Sequence, residues 1–175
     1  MINNPGTTPP RVSVIMPVYN GEKYLSSAID SALGQTYPEL QLIIVNDCST
    51  DRSEQIINGF LSDPRVLYLK SGTNSGVATS RNIALKHAKG GLIAFLDQDD
   101  IWLPNKLELQ VAAIGKHPEV GLLHCRYARI NTEGELLPDY VKLTPDQFGN
   151  PSAHLEVGNV FEGLFISNDI QPLTS

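Results

Sequence analysis

Three apolar runs constrain this chain more than any other feature, because none of them alternates. "RVSVIMPV" (11–18), "LQLIIVND" (40–47) and "GLIAFLD" (91–97) put hydrophobic side chains on both faces of any strand they form. Such strands must be covered on both sides, which points to a mostly parallel sheet between layers of helix. The intervening segments have helical spacing. In "EKYLSSAIDSALGQ" (22–35), Tyr24/Leu25, Ala28/Ile29 and Ala32/Leu33 share a face, and Gly34 is placed to end the helix. In "STDRSEQIINGFLS" (49–62), Ile56, Ile57, Phe60 and Leu61 form the stripe, and Asp51 with Glu54 matches a capping box. "NSGVATSRNIALKHAKG" (74–90) reads as a helix with Ser75 as its cap and Gly90 as its stop, and "LPNKLELQVAAIGKH" (103–117) as one with Pro104 near its first turn. With strands at 65–70, 120–131 and 134–141, the last two around an "NTEG" turn, the order is β-α-β-α-β-α-β-α and then β. The expected fold class is α/β.

The organisation expected from this pass is a flexible leader at 1–10, an α/β domain at 11–131 and a further region at 132–175. The formal net charge of −6 argues against a nucleic-acid partner, which would require a basic face. Cys48 and Cys125 stand far apart, without zinc spacing or a disulfide framework, and His87, His117, His124 and His154 are scattered. The polar, Pro-rich start "MINNPGTTPP" lacks signal-peptide character, and no apolar run has the length of a membrane span. The expectation is a cytoplasmic chain without a transmembrane segment.

Ligands of parallel α/β sheets bind beyond the carboxyl ends of the strands. Here those ends carry Pro17–Tyr19, Asp47 and the segment "FLDQDDIW" (95–102), in which Asp97, Asp99 and Asp100 occupy three of four positions. Three carboxylates so close repel one another unless water, donors or a cation compensate. One reading is a solvated loop with an Asp capping the next helix; the other is a hard-cation site of the magnesium or manganese kind. The chain has no GxGxxG after its first strand, no GxxxxGK[ST] and no GxSxG elbow, which excludes the familiar dinucleotide, P-loop and serine-hydrolase sites.

Four segments in register, "VSVIMPVYNGEKYL", "LIIVNDCSTD", "NSGVATSRNIAL" and "FLDQDDIW", with "LPNKLELQ" continuing the likeness, resemble the family 2 glycosyltransferases of the GT-A fold. The resemblance implies a Rossmann-like three-layer sandwich and transfer, with inversion, of a sugar from a UDP- or dTDP-sugar to an acceptor hydroxyl, saccharide or lipid-linked. It implies that Pro17, Val18 and Tyr19 line the nucleotide, with Tyr19 against the base, and that Glu22 either helps line the site or serves the helix dipole. Asp47 would accept the N3–H of uracil or thymine, or else cap the helix near Thr50, and Arg81 would face the diphosphate or ribose. The D-x-D of Asp97, Gln98 and Asp99 would line the nucleotide sugar, Asp97 meeting the ribose and Asp99, with Asp97, holding a divalent cation, Mn2+ or Mg2+. Trp102 would shape the acceptor side or pack in the core. The implied setting is surface polysaccharide assembly, peripheral at the inner face of the membrane. The family's catalytic base lies well past the D-x-D, so it is expected beyond Ser175, in a region this chain begins and does not finish. Alternatives are a non-catalytic nucleotide-sugar-binding module, a sugar-1-phosphate nucleotidyltransferase, which would carry a Gly- and Arg-rich loop where this chain has "PVYNGE", and a receiver-like signalling domain, which would need acids at the end of the first strand.

Overall fold

The computed structural model describes residues 11–125, 128–135 and 137. Its elements run β1 (Val12–Val18), α1 (Leu25–Leu33), β2 (Leu40–Asn46), α2 (Ser53–Asn58), β3 (Val66–Lys70), α3 (Val77–Leu85), β4 (Leu92–Phe95) and α4 (Lys106–Lys116). The strands form one parallel sheet in the order β3-β2-β1-β4. In register, Val12 faces Leu40 and Leu92, and Ile15 faces Ile43 and Phe95. The chain divides into two compact units between Lys116 and His117.

Every residue of β1 and β2 is buried, as two-sided apolar runs require. On one face Val14, Met16, Leu42 and Ile44 pack with Leu25, Ala28, Ile29 and Ala32 of α1, Ile57 of α2 and Leu107 of α4. On the other, Ile15, Ile43 and Val45 pack against Ala84 and Ile83 of α3. The expectation of two-sided burial fails for β4. Leu92 and Ala94 pack inward, but Ile93 and Phe95 are exposed, because β4 is an edge strand and α3 sits over β1 and β2.

Gly34 ends α1 as expected, its N–H donating to the Asp30 carbonyl. The other three cap expectations are corrected. Asp51 and Glu54 form no capping box: Asp51 accepts from the Ser53 and Glu22 N–H groups, and Glu54 is drawn to Lys70 and Tyr68 of β3. Ser75 does not cap α3, since both its N–H and its hydroxyl donate to Asp47. Gly90 does not stop α3, which ends at Leu85. It stands where the chain brushes past β1: a Cβ there would lie 2.4 Å from the Arg11 carbonyl oxygen and 2.7 Å from the Ser13 nitrogen. The Ser13 hydroxyl accepts the Gly90 N–H and donates to Gln41, satisfying buried polar groups where β4 enters the sheet.

In the second unit the "NTEG" turn is present. The Asn131 side chain accepts from the Glu133 and Glu135 N–H groups, and Gly134 takes φ 82. Of the two strands expected around this turn, the described residues show the end nearest it, where the Asn131 N–H donates to the Glu135 carbonyl and the Leu137 N–H to the Arg129 carbonyl; over 120–125 no strand is formed, and Leu122, His124 and Cys125 are exposed. Residues 138–141 of the following expected strand, and the expected leader at 1–10, lie outside the described residues.

The close approach at Gly90 makes a paired prediction. Gly90→Ala should cost about 1–3 kcal/mol through a backbone clash, whereas Gly91→Ala, with nothing within 4 Å of its Cβ, should leave stability nearly unchanged. Urea unfolding of the two variants measures this. Equal midpoints would show that the strand entry is not tight.

Candidate functional site

In a parallel sheet the loops after all strands leave from one edge, and here the turns after β1, β2 and β4 are tied together there. Asn20 follows β1 with φ 50, and Cys48 follows β2 with φ 65. Asn tolerates that left-handed region better than most residues. The Asn20 N–H donates to Ser49 Oγ, and Asn20 Oδ1 accepts the Thr50 N–H. The Gly21 N–H donates to Ser53 Oγ and the Glu22 N–H to Asp51 Oδ2. Glu22 returns the bond, accepting from the Arg52 N–H and its guanidinium, and these bonds hold its carboxyl below the usual range. Glu22 is thus engaged in a loop–loop clamp. Pro17 and Val18 are buried strand residues, and the Val18 carbonyl accepts the Asp47 N–H. Tyr19 is 45% exposed, so its ring is available at the edge.

Asp47 is 2% exposed and sits at the N-terminus of α3 rather than α2. Its Oδ1 accepts the Ser75 N–H (3.0 Å) and hydroxyl (2.9 Å), and its Oδ2 the Ser75 (3.0 Å) and Gly76 (2.7 Å) N–H groups. Burial opposes ionisation, but these donors outweigh it and hold the carboxyl below its ordinary value. These four contacts come from three donors, the Ser75 N–H being shared between both oxygens, against a carboxylate's capacity of about four bonds. The Ser75 hydroxyl is the one donor that can rotate away to make room for a further N–H.

After β4 the backbone turns at once, the Asp100 N–H donating to the Asp97 carbonyl. Asp97 accepts from Arg81 Nη2 at 2.6 Å, and the same guanidinium lies over the Phe95 ring, 5.4 Å from its centroid. The carboxylates therefore have a basic partner that the local sequence does not reveal. Gln98 spends both ends of its amide on Tyr19, accepting its N–H at 2.9 Å and donating to its carbonyl at 3.1 Å. Asp99 is exposed and makes no hydrogen bond or ion pair among the described residues. Asp100 is half-buried, and burial with the charges of Asp99 and Asp97 pushes its carboxyl up to about 6. Trp102 is buried in the core, with Lys106 Nζ 4.3 Å from its ring centroid.

The donor set at the end of β4 is all oxygen, and Asp100, raised first by burial and then by the charges of Asp99 and Asp97, has like charge beside it; an all-oxygen, acidic donor set fits a hard divalent cation. Among the described residues no three His, Cys, Asp or Glu side chains converge on one point. The fitting arrangement is therefore one or two carboxylates, Asp99 with Asp97, completed by phosphate oxygens of a substrate. Asn20, Ser49, Asp51, Ser75 and Gly76 were not singled out as site residues. "YNG" is a turn signal for the first of them, but the partners of the others lie some thirty positions away, as with Asn20 and Thr50.

The family model described as glycosyl transferase family 2 matches residues 13–161. An Escherichia coli relative, UDP-Glc:alpha-D-GlcNAc-diphosphoundecaprenol beta-1,3-glucosyltransferase WfgD, is 42% identical over 120 residues, 69% of this chain and 47% of the relative. The putative teichuronic acid biosynthesis glycosyltransferase TuaG of Bacillus subtilis is 44% identical over 58% of this chain and 41% of its own length. The structure of S. aureus TarS 1-349 in complex with UDP aligns at TM-score 0.59 and 36% identity, over 62% of this chain and 33% of that one. The mannosyltransferase PcManGT of Pyrobaculum calidifontis, in complex with GDP-Man and Mn2+, aligns at TM-score 0.55 and 28% identity, over 62% and 32%. The chain spans about half the length, or less, of these curated relatives.

The strained acid at the end of β4 gives a pH prediction. A carboxyl raised in the fold stabilises below its ordinary value of 3.8, and that contribution is lost as pH rises through about 6. In EDTA, Asp100→Asn should melt above the unmodified protein at pH 7.5 and level with it at pH 4. A melting-temperature difference that does not change with pH would refute the assignment.

Proposed function

Because this chain belongs to glycosyl transferase family 2 and has the GT-A fold, we propose that it is the donor-binding part of an inverting transferase using a UDP- or dTDP-sugar. The observation that carries the reading is the convergence, at one sheet edge, of a buried carboxylate (Asp47), an exposed aromatic (Tyr19) and an acidic turn paired with a guanidinium (Arg81, Asp97 and Asp99). In this reading Tyr19 lies against the base and Asp47 takes its N3–H as the Ser75 hydroxyl rotates away. Asp97 meets the ribose, and Arg81, now on Asp97, faces the diphosphate. Asp99 and Asp97 would hold Mn2+ or Mg2+, which would supply positive charge to offset the departing diphosphate. The acceptor hydroxyl attacks the anomeric carbon opposite the leaving group. The new glycosidic bond forms as the bond to the diphosphate breaks, and the hydroxyl proton passes to a general base.

The names of the relatives support a setting. WfgD is named for a diphosphoundecaprenol-linked acceptor and TuaG for teichuronic acid assembly, so a lipid-linked saccharide at the cytoplasmic face of a membrane is the acceptor we propose. No helix among the described residues is long and apolar enough to cross a membrane.

Thermal shift with UDP tests the donor site. With Mn2+, UDP at a hundred times its Kd should stabilise the protein by about 2.7 kcal/mol through mass action, and EDTA or Asp99→Ala should remove most of this. UDP that stabilises equally in EDTA contradicts the metal role. For the base, calorimetry should give UDP an advantage over CDP of about tenfold or more, the size of a charged hydrogen bond. Asp47→Asn should compress the UDP/CDP ratio toward one. An unchanged ratio rejects Asp47 as the base reader.

A further inference from the structure

We propose that Gln98 is a positioning residue that fixes the distance between the base-facing turn after β1 and the acidic turn after β4, without itself touching the donor. This rests on the donor-site reading above. Backbone pairing between β1 and β4 ends early: Ile15 pairs with Phe95, and the last bond runs from the Leu96 N–H to the Ile15 carbonyl at 3.1 Å. β1 continues to Val18, beside β2 alone. Tyr19 would then present an unpaired N–H and C=O at this edge. The Gln98 amide gives Tyr19 both bonds that a neighbouring peptide would give, at 2.9 and 3.1 Å. Both polar atoms of the amide are thereby engaged, and its neighbours on either side are the two carboxylates assigned to ribose and cation.

A second observation fixes the amide in place. A Cβ on Gly21 would lie 2.5 Å from Gln98 Oε1 and 2.7 Å from its Cδ, and its three nearest atoms all belong to Gln98. The glycine makes room for the amide. A primary amide of this reach supplies donor and acceptor side by side, as a peptide does: a Glu in its place could accept from the Tyr19 N–H but, ionised, could not donate to the Tyr19 carbonyl, and would add charge to the acidic turn.

A site with one half on each loop should express this link as cooperation between nucleotide and cation. The experiment is calorimetry of UDP with and without Mn2+ on the full chain, for the unmodified protein, Gln98→Ala, Gln98→Glu, Gly21→Ala and the Gly21→Ala/Gln98→Ala pair. Gln98→Ala should reduce the Mn2+ enhancement of UDP affinity by about tenfold, the size expected from two neutral hydrogen bonds, with UDP affinity in EDTA nearly unchanged. Gln98→Glu should fail to restore it. Gly21→Ala should reproduce the loss by expelling the amide, and the pair should be no worse than Gln98→Ala alone. Amide exchange at Tyr19 should accelerate in both single Ala variants. An undiminished Mn2+ enhancement in Gln98→Ala, or additive losses in the pair, overturns the role of Gln98 while leaving the donor reading intact. Absence of UDP binding by the unmodified chain overturns the donor reading and the coupling with it; slow Tyr19 exchange in Gln98→Ala overturns the geometric tie regardless of ligand.

Discussion

β1 and β2 pair in parallel over their whole lengths, with every residue of both buried, and the rest of the structure depends on that pairing. Parallel neighbours cannot be joined by a tight hairpin, so the chain must leave the sheet after each strand and return along a helix. α1 covers one face and α3 the other, and the turns after β1, β2 and β4 all open at the same edge. The price of this arrangement is a row of backbone groups at that edge with no strand left to pair them. Asn20, Asp51, Asp47 and Gln98 meet the cost with side chains that reach to the neighbouring turn. The same bonds that satisfy the edge also hold the site in shape.

Asp47 illustrates how the two duties merge. Its carboxylate sits at the positive end of α3, where a helix dipole favours a negative charge. It joins the end of β2 to the loop before that helix through two backbone N–H groups and a hydroxyl. An Asn there would lose one acceptor oxygen and loosen the loop, quite apart from any effect on a bound base. Glu22 forms a comparable clamp between the turns after β1 and β2, its N–H donating to Asp51 and its carboxylate accepting from the Arg52 N–H and guanidinium.

The alternation of two-sided strands with helical stripes was legible because burial writes directly into residue type. The four segments that carry the family resemblance were legible for a related reason, since each sits at a strand end or a helix start. The helix caps were not. Asp51–Glu54 and Ser75 have good local capping patterns, yet apart from the Ser53 N–H on Asp51 their partners come from Glu22, Lys70 and Asp47, 16 to 29 residues away. Local propensity loses there to contacts across the sheet edge. Gly90 reads as a helix stop in sequence and is a packing glycine against β1 in space. The pairing of Arg81 with Asp97 was invisible for the same reason, because a carboxylate cluster with no nearby base in sequence gains one from the helix before it.

That ion pair is too little to neutralise the edge. Asp97 has Arg81, Asp47 has neutral donors, and Asp99 and Asp100 have no cation of their own among the described residues. The burden appears in Asp100, whose carboxyl is pushed up to about 6 by burial and by its two neighbours. A diphosphate approaching this turn would add negative charge to an already uncompensated site on a chain of net charge −6. Arg81 cannot serve the phosphates fully without giving up Asp97, which would leave a third bare carboxylate. Exchange of partners within the turn therefore conserves the deficit rather than removing it. Among the described residues no further cation offsets it, and oxygen ligands on a short loop are of the kind that suit a small hard cation, as in the proposed reading. In the proposed reading the cation and the nucleotide would bind as one neutralising unit, to turns already linked by the hydrogen bonds at Tyr19, Asn20 and Asp47.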